Sequence, residues 1–159
     1  MKLHGVLILC FAVCGAARAD EAAQCRANAG TYLTGTVTDG PTFAPGHGRD
    51  GVELSHTHLK LMSDQDGRSY DGAIDNVFAT GYNAAGKSVP TPLSTVQTGD
   101  RLELCGKLYI DGGPGIDWVH TNCGETPRAA QPDGRLKILS SESRGHNLED
   151  AREYCRLWR

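Results

Sequence analysis

Basic residues, aromatic rings and long apolar runs are all scarce in this chain of 159 residues. Sixteen Lys and Arg stand against 19 Asp and Glu, for a formal charge of −3. A chain without a cationic surplus cannot neutralise many phosphates or release their counterions, which argues against nonspecific nucleic-acid binding. Three Phe, two Trp and five Tyr are too few for a stacking platform that reads single strands. The longest apolar run, Val6 to Val13, is less than half the ~20 residues a bilayer-spanning helix requires, so no membrane span is expected. Nor does any serine, Ser55, Ser94 and Ser140 included, sit in a nucleophile-elbow pattern. Gly81-Tyr82-Asn83-Ala84-Ala85-Gly86-Lys87-Ser88 matches the phosphate-loop spacing, but Val89-Pro90-Thr91-Pro92 follows where a phosphate loop needs a helix N-terminus. No nucleotide cofactor is expected.

What is present begins with Lys2, the apolar run, and small residues ending in Ala17-Arg18-Ala19. That order of charge, apolar stretch and A-x-A is that of a cleavable export signal over residues 1–19. Cleavage would begin the mature chain at Asp20 and remove Lys2 and Arg18 but no acidic residue, making it two units more negative. The expected location is the periplasm or the exterior. Of six cysteines, Cys10 and Cys14 leave with the leader. Cys25, Cys105, Cys123 and Cys155 remain, an even set that reads as two disulfides with three possible connectivities.

The mature length suits one domain with a single core, expected over residues 20–140, followed by a linker and a terminal helix over 141–159 packed on it. Five β-like segments separate turn clusters: Thr31 to Thr38, Val52 to Met62, Gly72 to Thr80, Arg101 to Ile110 and Ile116 to Asn122. Short strands spaced by Gly, Pro and Asp indicate a mainly β chain, a small antiparallel barrel or sandwich. Two long loops are expected, Asp39 to Gly51 and Tyr82 to Gly99, with a bulge near Ser55. A hairpin symmetric about Pro114 would place Cys105 opposite Cys123. Leu148, Ala151, Cys155 and Trp158 fall on one stripe of a helix, turning Cys155 inward and leaving Cys25 as its partner. The expected bridges are therefore Cys105–Cys123 and Cys25–Cys155, with Cys25–Cys123 and Cys105–Cys155 as the rival set.

Thr98-Gly99-Asp100-Arg101-Leu102-Glu103-Leu104-Cys105-Gly106 resembles the Gly-Asp-x-Val-x-Val-x-Gly entry to a strand of bacterial OB-like barrels, with Gly106 where a small barrel coils tightly. More widely, His58-Leu59-Lys60, Trp118-Val119-His120 and the turn Pro132-Asp133-Gly134 resemble those of a family of small exported bacterial proteins with no assigned chemistry. The likeness spans roughly residues 31–137. It implies a five-stranded OB-like barrel. Where those relatives carry a further His and an Asp after the second His, this chain has Thr121 and Asn122.

The histidines carry the candidate chemistry. His56 and His58, two apart, share one face of a strand. With His120 they could ligate zinc or copper, leaving an open coordination position. Alternatively, His58, Lys60 and His120 could cleave phosphodiesters without a metal: one imidazole as base, one as acid, and the ammonium against the developing charge. The third reading is a noncatalytic binding module that holds a small ligand or a protein, with Trp118 and His47 as contact residues. In that case His120 is a hydrogen-bonded core residue beside the Trp118 indole.

Overall fold

The structure, a computed structural model, describes residues 10–139 and 145–158, with side chains from residue 19 onward. The start of the expected leader, Ser140 and most of the expected linker lie outside the described residues. Helix α1 (Cys10–Ala27) leads into strands β1 (Thr31–Arg49), β2 (Val52–Ser63) and β3 (Ser69–Asp75). A 3-10 turn (Asn76–Phe78) and the one-turn helix α2 (Thr91–Ser94) precede β4 (Arg101–Tyr109), β5 (Gly115–Asp117) and β6 (Arg135–Ile138). A 3-10 turn at Cys155–Trp158 ends the described chain. No helix among the described residues is long and apolar enough to cross a membrane.

The chain is mainly β, built on one six-stranded sheet in the order β1-β2-β3-β5-β4-β6. The first strand also pairs with β4, through Thr31 to Thr36 against Gly106 to Arg101. All neighbours are antiparallel except β3 and β5. Alternation explains which face each strand buries: Thr57, Leu59 and Leu61 of β2 point inward while His56, His58 and Lys60 point outward. Leu33, Val37, Leu59, Leu61, Ile74, Leu102, Leu104, Ile116 and Leu136 form the main core. Each such side chain contributes about 1.5–3 kcal/mol by leaving water. A second cluster gathers Val52, Val77, Phe78, Tyr82 and Leu157 around the Cys123–Cys155 bridge.

Several sequence expectations are corrected here. The segment from Asp39 to Gly51 is not a loop but a long hairpin arm of β1. Asp50 and Gly51, at φ of 50° and 78°, make a tight two-residue turn that brings Arg49 opposite Val52. Left-handed backbone at both positions is what a primed hairpin turn needs, and Asp-Gly supplies it readily. The irregularity expected near Ser55 lies across from it in β1, between Ala44 and His47. Strand β6 was not among the five expected β segments.

The disulfides also differ from both expected sets: the bridges are Cys25–Cys105 and Cys123–Cys155. The β4–β5 hairpin pairs Lys107 with Asp117 and Tyr109 with Gly115, so its centre is Gly112 rather than Pro114. Strand β5 then stops at Asp117, because Trp118 turns into left-handed backbone (φ 54°). Cys123 is thus carried away from Cys105 toward Cys155. The freed face of β4 is covered by α1, where Cys25 reaches Cys105 and Glu21 pairs with Arg135 and Lys137. The same hairpin leaves Leu108 half-exposed and Ile110 exposed, not on the inner face with Leu104.

Among the described residues the expected terminal α-helix does not form either. Around residues 148–151 the backbone bonds to other segments: Leu148 N–H to Leu136, Ala151 N–H to Phe78, and the Glu149 carbonyl to Thr121 N–H. A chain that spends its peptide groups this way has none left for an i to i−4 ladder. Only Cys155–Trp158 coils, as a 3-10 turn.

Candidate functional site

The β2–β3 register sets the site. His56 lies opposite Asp75, and Lys60 opposite Asp71, so two outward carboxylates of β3 face the outward row of β2. His56 Nε2 is 3.0 Å from Asp75 Oδ1, and His58 Nδ1 is 2.8 Å from Asp71 Oδ2. Asp71 Oδ2 also accepts from the Tyr109 hydroxyl at 2.5 Å. His58 is therefore held by Nδ1–H, with Nε2 left as the acceptor, and its side chain is 39% exposed. With Lys60, Thr42 and Asp39 it lines a shallow depression of about 70 Å³.

His120 is placed very differently. The left-handed turn at Trp118 swings the following residues under the sheet edge, where His120 keeps 1% of its surface. Gly134 fixes the turn from above: a side chain there would meet the Trp118 carbonyl at 2.3 Å and the Cys105 carbonyl at 2.6 Å. His120 Nδ1 donates to the Thr121 carbonyl at 2.8 Å, since a carbonyl can only accept. Nε2 lies 3.3 Å from Asp75 Oδ2, a polar contact that falls short of a directed hydrogen bond. Phe78 stacks flat on the imidazole, centroids 3.7 Å apart and planes 4° from parallel. Phe78 is presented by the 3-10 turn after β3. Asn76 anchors that turn, accepting from Thr57 (2.6 Å) and donating to Ser55 (3.0 Å).

Asp75 thus sits between two imidazoles. Burial opposes its ionisation, but His120 and His56 overcome that and hold its carboxyl far below the usual range. The hydrogen bond that Asp75 accepts from His56 in turn raises the pKa of that imidazole. Beside them is Glu149, fully buried, with no hydrogen-bond partner at either carboxylate oxygen. Burial, then the charge of Asp75, drives its pKa well above the ordinary value, so it is kept protonated.

Beside His120 lies a pocket lined by Phe78, Trp118 and Trp158, with Asn122, Cys123, Glu125 and Gln131 completing it. It is small, about 20 Å³, room for one or two water molecules. The buried indole N–H of Trp118 has no protein partner.

The residues singled out in the sequence therefore fall into separate groups. His56 and His120 meet through Asp75, while His58 turns to Asp71; the expected metal trio shares no common centre. Among the described residues no group of three His, Cys, Asp or Glu side chains is arranged to hold a metal ion. His58 and Lys60 share a depression that His120 does not line. Trp118 walls a pocket, but His47 is exposed on the hairpin arm opposite Leu54. Sequence reasoning missed Asp71, Asp75, Phe78, Glu149 and Trp158. The spacing of Asp71 and Asp75, two same-face positions of one strand, was the available signal for the two aspartates. No protein-family model matches the chain, and no curated protein does either.

Proposed function

We propose that this chain is an exported OB-like β-barrel that works as a binding module, contacting a small ligand or a protein at the aromatic surface around the pocket beside His120. Barrel closure is supported by the run of pairings from β1 through β2, β3, β5 and β4 back to β1. Export is supported by the leader pattern and by two disulfides, which persist in oxidising compartments. The observation that carries the reading is Trp118: a bulky residue in left-handed backbone, on a pocket wall, with a buried N–H that the protein leaves unpartnered. Such backbone costs about 1–3 kcal/mol and concentrates at binding and catalytic sites.

The chain's two tryptophans both line this pocket, so intrinsic emission reports occupancy directly. Titration with small cationic, anionic and neutral fragments should quench or shift that emission for at least one class. A Trp118→Leu variant with an unchanged near-ultraviolet dichroism envelope apart from the lost indole should lose the response. Silence from every class in the folded wild type would remove this reading.

A second reading, metal-free phosphodiester cleavage, is favoured by one observation: Asp71 fixes His58 with an exposed acceptor Nε2 beside Lys60. It predicts RNA cleavage in excess chelator that His58→Ala abolishes and His120→Ala, if folded, leaves in place.

A further inference from the structure

Apart from the aromatic surface, we infer that His56 and His58 together bind one divalent transition-metal ion, Cu²⁺ foremost, through two imidazole nitrogens, with water completing the coordination. His56 Nε2 lies 3.0 Å from Asp75 Oδ1, and His58 Nδ1 lies 2.8 Å from Asp71 Oδ2. A carboxylate only accepts, so His56 gives up Nε2–H and keeps Nδ1 as a lone pair, while His58 gives up Nδ1–H and keeps Nε2. Neither remaining nitrogen meets a protein partner among the described residues, and the two side chains are 35% and 39% exposed. The ring centroids are 6.3 Å apart. A metal–nitrogen bond of about 2.0–2.1 Å sets each centroid roughly 3 Å from the ion, so this spacing is close to what one ion spans.

A carboxylate behind each imidazole is the arrangement that metal-binding histidines use, because it fixes the tautomer and the ring and makes the free nitrogen more basic. Here one strand supplies both carboxylates, since β3 sets Asp75 opposite His56 and Asp71 opposite Lys60, one step beyond His58. Asp71 is steadied in turn by the Tyr109 hydroxyl. The two aspartates set two negative charges against the ammonium of Lys60. The other described histidines lack this combination: His120 is buried with Nδ1 on the Thr121 carbonyl, and His47 on the hairpin arm has no carboxylate partner among the described residues. Two imidazoles favour borderline transition ions over Ca²⁺ or Mg²⁺, and among those ions affinity peaks at Cu²⁺. No third His, Cys, Asp or Glu among the described residues joins the pair, so the ion keeps open positions and exchanges readily.

The test is a Cu²⁺ titration of the oxidised protein in competition with glycine, joined to the electron paramagnetic resonance spectrum of the frozen complex. One ion per chain is expected, with superhyperfine splitting from imidazole nitrogens. His56→Ala and His58→Ala should each weaken binding at least about tenfold, and Asp71→Asn, which keeps both ligands but frees one ring, about tenfold. His47→Ala should change nothing. In the wild type, Cu²⁺ should shield His56 and His58, but not His47, from carbethoxylation, a readout that needs no variant to fold. No binding, binding that survives loss of either histidine, an equal loss in His47→Ala, or labelling of the pair that Cu²⁺ leaves unchanged overturns the site. Fragment titration and chelator-resistant cleavage use other probes, so the two readings above stand or fall separately.

Discussion

Two histidines, each facing an aspartate of β3, show how burial changes what one chemical pair is for. His120 is sealed beneath Phe78 and Trp118, and both of its ring nitrogens face protein oxygens. His58 faces solvent with one nitrogen fixed and the other free. In the interior the pair is a structural element whose loss leaves a buried polar group without a partner. At the surface the same pair costs little to break and can meet a substrate.

The largest effect expected from that contrast is on stability. Asp75→Ala leaves the buried His120 Nε2 without a polar partner and releases His56, and should cost about 1–3 kcal/mol. Asp71→Ala, at a half-exposed pair, should cost no more than about 1 kcal/mol. Urea unfolding of both variants checks this, and equal losses would erase the distinction between the two sites.

Acid and base should then act on the buried cluster with opposite signs. Asp75 has its folded pKa depressed, so its stabilisation is present above the unfolded value of 3.8 and is lost as pH falls below it. Glu149 has its folded pKa raised, so the contribution it makes is full below the unfolded value of 4.5 and is lost as pH rises. Glu149→Gln should therefore stabilise the protein more at mildly alkaline than at mildly acidic pH. The wild type should lose up to about 1.4 kcal/mol per pH unit that the variant keeps. Urea midpoints across pH read the difference, and parallel curves for the two proteins would mean that Glu149 is not buried as a neutral acid.

The smallest effect is one of access. Carbethoxylation mapped by peptide mass should label His58 in the native protein and His120 only after unfolding. Labelling of His120 at the rate of His58 would contradict its burial.

Much of the sheet was legible because alternation marks strands: in β2 it separates His56, His58 and Lys60 from Leu59 and Leu61, although the pattern alone did not decide which row faces the core. The strand entry at Gly99-Asp100 and the tight approach at Gly106, where a side chain would meet the Asp117 carbonyl at 2.4 Å, were equally plain. The bridges were not, because pairing them depended on the centre of one hairpin and on Trp118 adopting backbone that favours glycine. The terminal segment misled for a related reason: Leu148, Ala151, Cys155 and Trp158 repeat like a helix, yet the peptide groups around residues 148–151 bond to other segments. The candidate site was half legible. The histidines announce themselves, but Asp71 and Asp75 become their partners only through the β2–β3 register, and Glu149 only through burial that no local pattern encodes.

The Cys123–Cys155 bridge lies between the stretch that follows Trp118 and the turn that carries Trp158. The other bridge is fully buried between α1 and β4, whereas Cys123 is itself on the pocket lining. A thiol reagent arriving from solvent therefore meets the clasp beside the aromatic pocket before it meets the rivet of the scaffold. Opening that clasp removes the covalent tie between the segments that carry the two indoles, while the tie between α1 and β4 stays closed.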